Sequence, residues 1–149
     1  MMAAARPSKA AQGDPAQRAW SAMCDLVLDN ERRREVSDAL GMSFGRIKAI
    51  RRIARSPMSM GDLAATLGID APYATLVVDE LERQGLVERR PHPTDRRMKL
   101  VAATARGAAV AAEAEEIMGR PPHGLATLPG PQLEAVAQIL EAAAAPRTE

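Results

Sequence analysis

The stretch TLGIDAPYATLVVDELERQGLVERR, residues 66–90, decides the fold. It carries two Gly-apolar pairs, Gly68-Ile69 and Gly85-Leu86, at either end of one amphipathic run. Glycine takes the left-handed backbone that ends a helix, and the apolar residue after it folds back on the last turn. Ile69 is therefore expected to close one helix on Ala64, and Leu86 to close the next on Leu81. Asp70 is placed to cap the second helix, and Pro72 falls in its first turn, where a backbone N–H would have no intrahelical partner anyway. Ala74, Val77, Val78 and Leu81 recur at helical spacing and form its buried stripe. A short helix over residues 60–67 precedes it, capped by Ser59 and buried through Leu63, Ala64 and Leu67. Two residues between the helices leave no room for a long loop, and small Ala64 lets the pair cross closely. This is helix-turn-helix syntax.

Working outward, the period changes to two after Gly85. Residues 87–90 read as a strand, HPTDRR (92–97) as a turn and residues 98–103 as a return strand, which together make a wing. Upstream, Asp14 and Pro15 open a helix that turns Trp20, Met23, Cys24 and Val27 inward and continues through ERRRE toward Leu40, where Gly41 ends it. Ser43 is placed to cap a helix with Ile47, Ile50 and Ile53 inside and Arg46, Lys48, Arg51, Arg52 and Arg55 around the rest; Pro57 stops it. Downstream, Thr104 caps an alanine-rich helix reaching about Met118. Gly119, Pro121, Pro122, Pro129, Gly130 and Pro131 then interrupt the chain, leaving a short turn at 125–128. A last amphipathic helix, 132–145, presents Leu133, Val136, Ala137 and Leu140. The expected organisation is a loose arm over residues 1–13 and one domain over 14–149, its central lobe at about 43–103 flanked by helices at 14–40 and 104–145.

Composition bounds the function. A chain of 149 residues, 46% hydrophobic and 26% charged, can bury a core. Its one cysteine excludes an intramolecular disulfide framework and a CxxC zinc site. No stretch has the length of apolar sequence that a membrane span needs, and MMAAARPSK lacks the apolar middle of a secretory signal, so no membrane partner and a cytoplasmic location are expected. There is no G-x-S-x-G, phosphate-binding loop or HExxH, so the reading is not an enzyme, with no cofactor and no metal. The formal charge is only +1, but it is unevenly spread. Residues 83–106 hold seven basic residues against two acidic ones, and residues 46–55 hold five with no acid.

Helix, turn, helix and basic hairpin make chemical sense together on a duplex. The second helix can enter the major groove and offer side chains to base edges, while arginines and helix N-termini grip phosphates. Arginines at a hairpin tip suit the narrow, electronegative minor groove. Asp95 and Arg97 lie two apart, so the carboxylate is expected to orient the guanidinium.

Residues 63–104, LAATLGIDAPYATLVVDELERQGLVERRPHPTDRRMKLVAAT, resemble the core of the MarR family of bacterial transcription regulators. The family's pattern here runs LA..LGIS.PTVT.LVD.LE..GLVER..DP.DRR. The resemblance implies a mainly α fold with a small β-hairpin wing, a winged helix-turn-helix that dimerises through its N- and C-terminal helices. It also implies a sequence-specific regulator of double-stranded DNA, a repressor on a pseudo-palindromic operator, released by a small aromatic or anionic effector bound in a cleft. Carried over residue by residue, Ala71, Pro72, Tyr73, Thr75 and Leu76 face the groove, and Asp95, Arg96 and Arg97 form the wing tip. Family members often have arginine or polar groups where Ala71 and Leu76 stand, and Asp79 and Glu80 follow on the same helix. Base readout is therefore expected to rest on Tyr73, Thr75 and contact with thymine methyls. Pro121 and Pro122 interrupt what is usually a long fifth helix. The competing reading is a winged helix that docks protein and never touches DNA.

Several residues have plainer accounts. Cys24 sits where some relatives keep an oxidation-sensing thiol, but cysteine is commonly a buried packing residue. His92 and His123, flanked by prolines and lacking a second ligand at metal spacing, read as exposed loop positions. Tyr73 reads as a groove contact rather than packing, because the apolar stripe already has its members. Methionine most often fills gaps in a core.

Overall fold

The computed structural model describes residues 13–28 and 31–145; the arm expected over residues 1–13 lies almost wholly outside them. In chain order the elements are α1 (Pro15–Leu28), α2 (Glu31–Leu40), α3 (Phe44–Arg55), β1 (Met58–Ser59), α4 (Met60–Leu67) and α5 (Ala71–Arg83). They continue with β2 (Val87–Pro91), β3 (Lys99–Ala103), α6 (Ala105–Gly119), α7 (His123–Ala126) and α8 (Gly130–Ala144). The chain forms two compact units, one ending at Gly119 and one beginning at Arg120.

In the first unit the two glycine turns close as their sequence demands. Gly68 and Gly85 have φ of +64° and +71°. The N–H of Ile69 donates to the Ala64 carbonyl at 3.0 Å, and that of Leu86 to the Leu81 carbonyl at 2.9 Å, the six-to-one bond of a Schellman ending. Ser59 caps α4 by accepting the Asp62 N–H, and Asp70 caps α5 by accepting the Tyr73 N–H at 2.8 Å. Ser43 stands at the start of α3 with the extended backbone of a cap, but its side chain accepts no capping bond.

The core lies between α3, α5, α6 and the sheet. Ile47, Ile50 and Ile53 of α3 meet Leu63, Val77, Val78 and Leu81 from the helix-turn-helix and Val87 and Val101 from the strands. No polar or charged residue is buried among the described residues. Helix α6 presents Gly107, Ala111, Ala114 and Ile117 to α2 and α3, at spacings of three and four that put small residues on one face. Arg33 of α2 covers the Phe44 ring of α3, 4.3 Å from its centroid.

Strands β2 and β3 pair antiparallel in the register Val87 to Ala103 through Pro91 to Lys99. The sheet has a third member that the alternation of residues does not reveal. The two-residue β1 pairs with β3, Met58 opposite Val101 and Ser59 opposite Leu100, so β3 is central.

The first helix departs from expectation in two ways. It is described as α1 and α2, with residues 29–30 outside the described residues. None of α1 is buried: Met23 and Cys24 are half-buried, whereas Trp20 and Val27, expected inward, are 64% and 77% exposed. An amphipathic stripe shows that a face needs cover and is silent about which chain supplies it.

The second unit holds α7 and α8. Leu133, Val136 and Ala137 of α8 are half-buried, Ile139 and Leu140 are exposed, and the helix starts two residues earlier than its apolar pattern suggests, at a Pro129-Gly130-Pro131 turn.

Candidate nucleic-acid interface

Capping by Asp70 fixes where α5 begins, and the buried stripe on its other side fixes which residues look outward. Ala71, Pro72, Tyr73, Thr75 and Leu76 are all exposed, Leu76 to 66%. They form one contiguous face over the first turn and a half. The Thr75 hydroxyl donates back to the Ala71 carbonyl at 3.1 Å, which leaves its oxygen lone pairs turned outward as acceptors. Tyr73 is both surface and packing. Its ring is 45% exposed, but its hydroxyl lodges against α3, so closely that a methyl group on Gly45 would lie 3.0 Å away. Lys48, Leu67 and Ile69 line the small cleft beneath it.

Every acid on α5 is engaged by a cation. Arg89 on β2 donates to Asp79 at 2.6 Å and also to Glu82, tying the far end of the helix to the wing. The Asp79 bond is the main cause that raises the Arg89 guanidinium above its ordinary value. Glu80 accepts from Arg83 at 2.9 and 2.6 Å and from Gln84, and these bonds, Arg83 foremost, hold its carboxyl at about 2. Each carboxylate of α5 is thus paired within the lobe.

The wing tip is held differently from the expected ion pair. Asp95 accepts the backbone N–H of Arg97 at 2.9 Å, and no ion pair joins its carboxylate to the Arg97 guanidinium. An acid two residues before an N–H closes an Asx turn, and that local bond wins over a long flexible partner. Nor is His92 a free loop residue. Half-buried, it accepts from the backbone N–H groups of Thr94 and Asp95 through Nδ1, each at 3.2 Å, while its backbone N–H donates to the Met98 carbonyl. Asp95, Arg96 and Arg97 are exposed on this frame. In the other unit His123 opens α7 and is exposed as expected.

Arg89 and His92 brace the helix and the wing, and residue type alone does not single them out. A sequence signal exists for the second: His92 stands where the family's pattern carries aspartate, and it supplies the acceptor that a carboxylate would supply. Behind the interface Glu115 of α6 accepts from Arg51 at 3.0 and 2.8 Å and from Arg55 at 3.0 Å, bracing α3; the Arg51 bond is the first cause lowering its carboxyl. A cavity of about 520 Å³ opens between the start of α4 and the wing, with Met60, Arg89, Arg97, Met98 and Lys99 on its walls. No group of His, Cys, Asp and Glu among the described residues could hold a metal ion.

Residues 40–98 match the MarR family. Among named relatives, the HTH-type transcriptional regulator BilQ of Clostridium symbiosum is 35% identical over 68 residues, covering 45% of this chain and 47% of that protein. The multiple antibiotic resistance protein MarR of Escherichia coli is 36% identical over 62 residues, 42% of this chain and 43% of its own. The chain thus spans a little under half the length of the relatives it matches. The crystal structure of wild-type apo MarR from E. coli shares the fold with a TM-score of 0.70 at 23% identity, over 90% of this chain and 99% of that one. On the segment that carries the helix-turn-helix and the wing, the chain belongs to the MarR family.

Proposed function

We propose that the protein is a sequence-specific transcription regulator that binds double-stranded DNA as a homodimer. The observation that carries this reading is the outward face of α5: Ala71, Pro72, Tyr73, Thr75 and Leu76 lie clear of cover while Asp79, Glu80 and Glu82 are each paired with an arginine, Arg89 serving two of them. A helix so arranged can approach a polyanion, with Thr75 accepting from a base edge and Leu76 against a thymine methyl. Arg96 and Arg97 would enter the adjacent minor groove. The exposed stripes of α1 (Trp20, Val27) and of α8 (Ile139, Leu140) would each be a surface on which a second copy docks. Two such lobes fit a pseudo-palindromic operator with half-sites about one helical turn apart. Repression is by occupancy. A small aromatic or anionic effector would sit in the 520 Å³ cavity, where Arg89 is shared with Asp79 and Glu82, and would release DNA by favouring a dimer with wrongly spaced recognition helices.

Selection of binding sites from random duplex tests the reading. Enrichment of an inverted repeat is expected; recovery of no preferred sequence would leave a docking module instead. On the selected site, Arg97→Ala should weaken binding nearly uniformly and reduce the salt slope by about one, while Thr75→Ala should relax preference at one base pair.

A further inference from the structure

The second basic run of the chain has no part in the interface so far. It lies on α3, where Lys48, Arg51, Arg52 and Arg55 line a surface groove of about 230 Å³ closed on its far side by Thr66 and Leu67 of α4. Charge inside the groove is not balanced. Glu115 takes two nitrogens of Arg51 and one of Arg55, and among the described residues no carboxylate forms an ion pair with Lys48 or Arg52. Positions 48 and 52 are one helical turn apart and share a face, so two uncommitted cations stack over one site. Thr66, exposed across the groove, adds a hydroxyl.

Position gives the groove its occupant. Lys48 lines this groove and also the small cleft under Tyr73, beside Gly45 and Ile69. The basic surface therefore opens next to the turn that precedes α5 and the first turn of α5, where a duplex seated on that helix would carry its sugar-phosphate backbone past. Arg89, Arg97 and Lys99 lie instead on the wing.

We infer that the α3 groove holds a backbone phosphate of the operator, with Lys48 and Arg52 as its cations and the Thr66 hydroxyl as a donor. This rests on the DNA-binding reading above. Neutralising one phosphate releases its counterions, so the contact appears in the salt dependence of binding and carries no base preference.

The test uses the full chain and the selected duplex, with anisotropy measured over a salt series. Lys48→Ala combined with Arg52→Ala should make the slope of log K against log salt shallower by about one and weaken binding roughly ten-fold at about 0.15 M salt. The ratio of operator to random-duplex affinity should stay at the wild-type value. Arg18→Ala with Arg34→Ala removes the same charge from exposed positions on α1 and α2 and should change the slope little. Arg52→Gln alone, which keeps the helix surface, should show part of the effect with an unchanged urea midpoint. Failure of the wild-type protein to bind any duplex removes the DNA-binding reading and this site together. Wild-type binding with an unaltered slope in the Lys48/Arg52 variant overturns this site alone, as does an equal loss in the Arg18/Arg34 control. Inorganic phosphate titrated without DNA, followed by amide shifts of residues 48–67, separates a free anion from the backbone: saturation below about millimolar would assign the groove to a free anion and overturn the inference.

Discussion

Gly107 of α6 lies so close to Leu86 that a methyl group on its Cα would stand 1.8 Å from the Leu86 carbonyl oxygen. That oxygen already accepts the Thr104 N–H at 3.0 Å, and the Thr104 side chain joins the same junction by donating to the Gly85 carbonyl at 2.7 Å and accepting the Gly107 N–H at 3.0 Å. The start of α6 is thus locked onto the turn that ends α5.

Gly107→Ala sets two effects against each other. Alanine favours an exposed helix by about 1 kcal/mol over glycine. Here the new methyl meets backbone, which has no rotamer to move, and overpacking costs about 1–3 kcal/mol or more. A lower urea midpoint is expected; an unchanged or raised one would mean that α6 slides away freely.

Replacing Arg89 by Gln should alter stability by about 1 kcal/mol, because Arg89 is half-buried but both of its carboxylate partners are exposed. DNA affinity should fall much further, since Asp79 and Glu82 then face the duplex without a counter-charge. Their repulsion is screened by salt, so the loss should shrink as ionic strength rises. A loss of equal size at low and high salt would contradict this account.

His92 gives a pair of contrasting variants. His92→Asn keeps an acceptor able to take the Thr94 and Asp95 N–H groups, whereas His92→Ala does not. Hydrogen exchange at those two amides should be near wild type in the first and faster in the second, with DNA affinity following the same order.

Acid titration should be led by the paired carboxyls. A carboxyl whose folded pKa is depressed adds stability that is complete above its unfolded value and fades as pH falls through its folded value. For Glu80 that window runs from the ordinary 4.5 down to about 2. Carbon-13 titration of its carboxyl should show this low value, and Arg83→Ala should move it back toward 4.5. Glu115, lowered in the same direction, should lose its contribution below the ordinary carboxylate range.

Legibility of the fold follows how local each cause is. The turns at Gly68 and Gly85, the caps at Ser59, Asp70 and Thr104 and the stripe from Ala74 to Leu81 are written within a few residues of where they act, and all are read directly. Strand β1 is not, because two residues carry no period; only their pairing with Val101 and Leu100 makes them a strand. The exposed face from Ala71 to Leu76 is legible from the stripe opposite it. The Arg89 ties, the His92 acceptor and the Tyr73 seat on Gly45 depend on partners brought close by folding, and Asp95 chose a nearer partner than its charge suggests. The outward Trp20 marks the same limit, since its cover is not supplied within its own helix.

Ser59 closes β1 and also caps α4, so one residue is at once the edge of the sheet and the threshold of the helix-turn-helix. Leu100 of the central strand is its neighbour across the ladder. A hairpin pulled into a minor groove consequently drags the root of α4 with it. On the proposed DNA-binding reading the lobe would meet both grooves as a single stiff tool, and a molecule that shifts the hairpin would reset the angle at which the helices meet DNA.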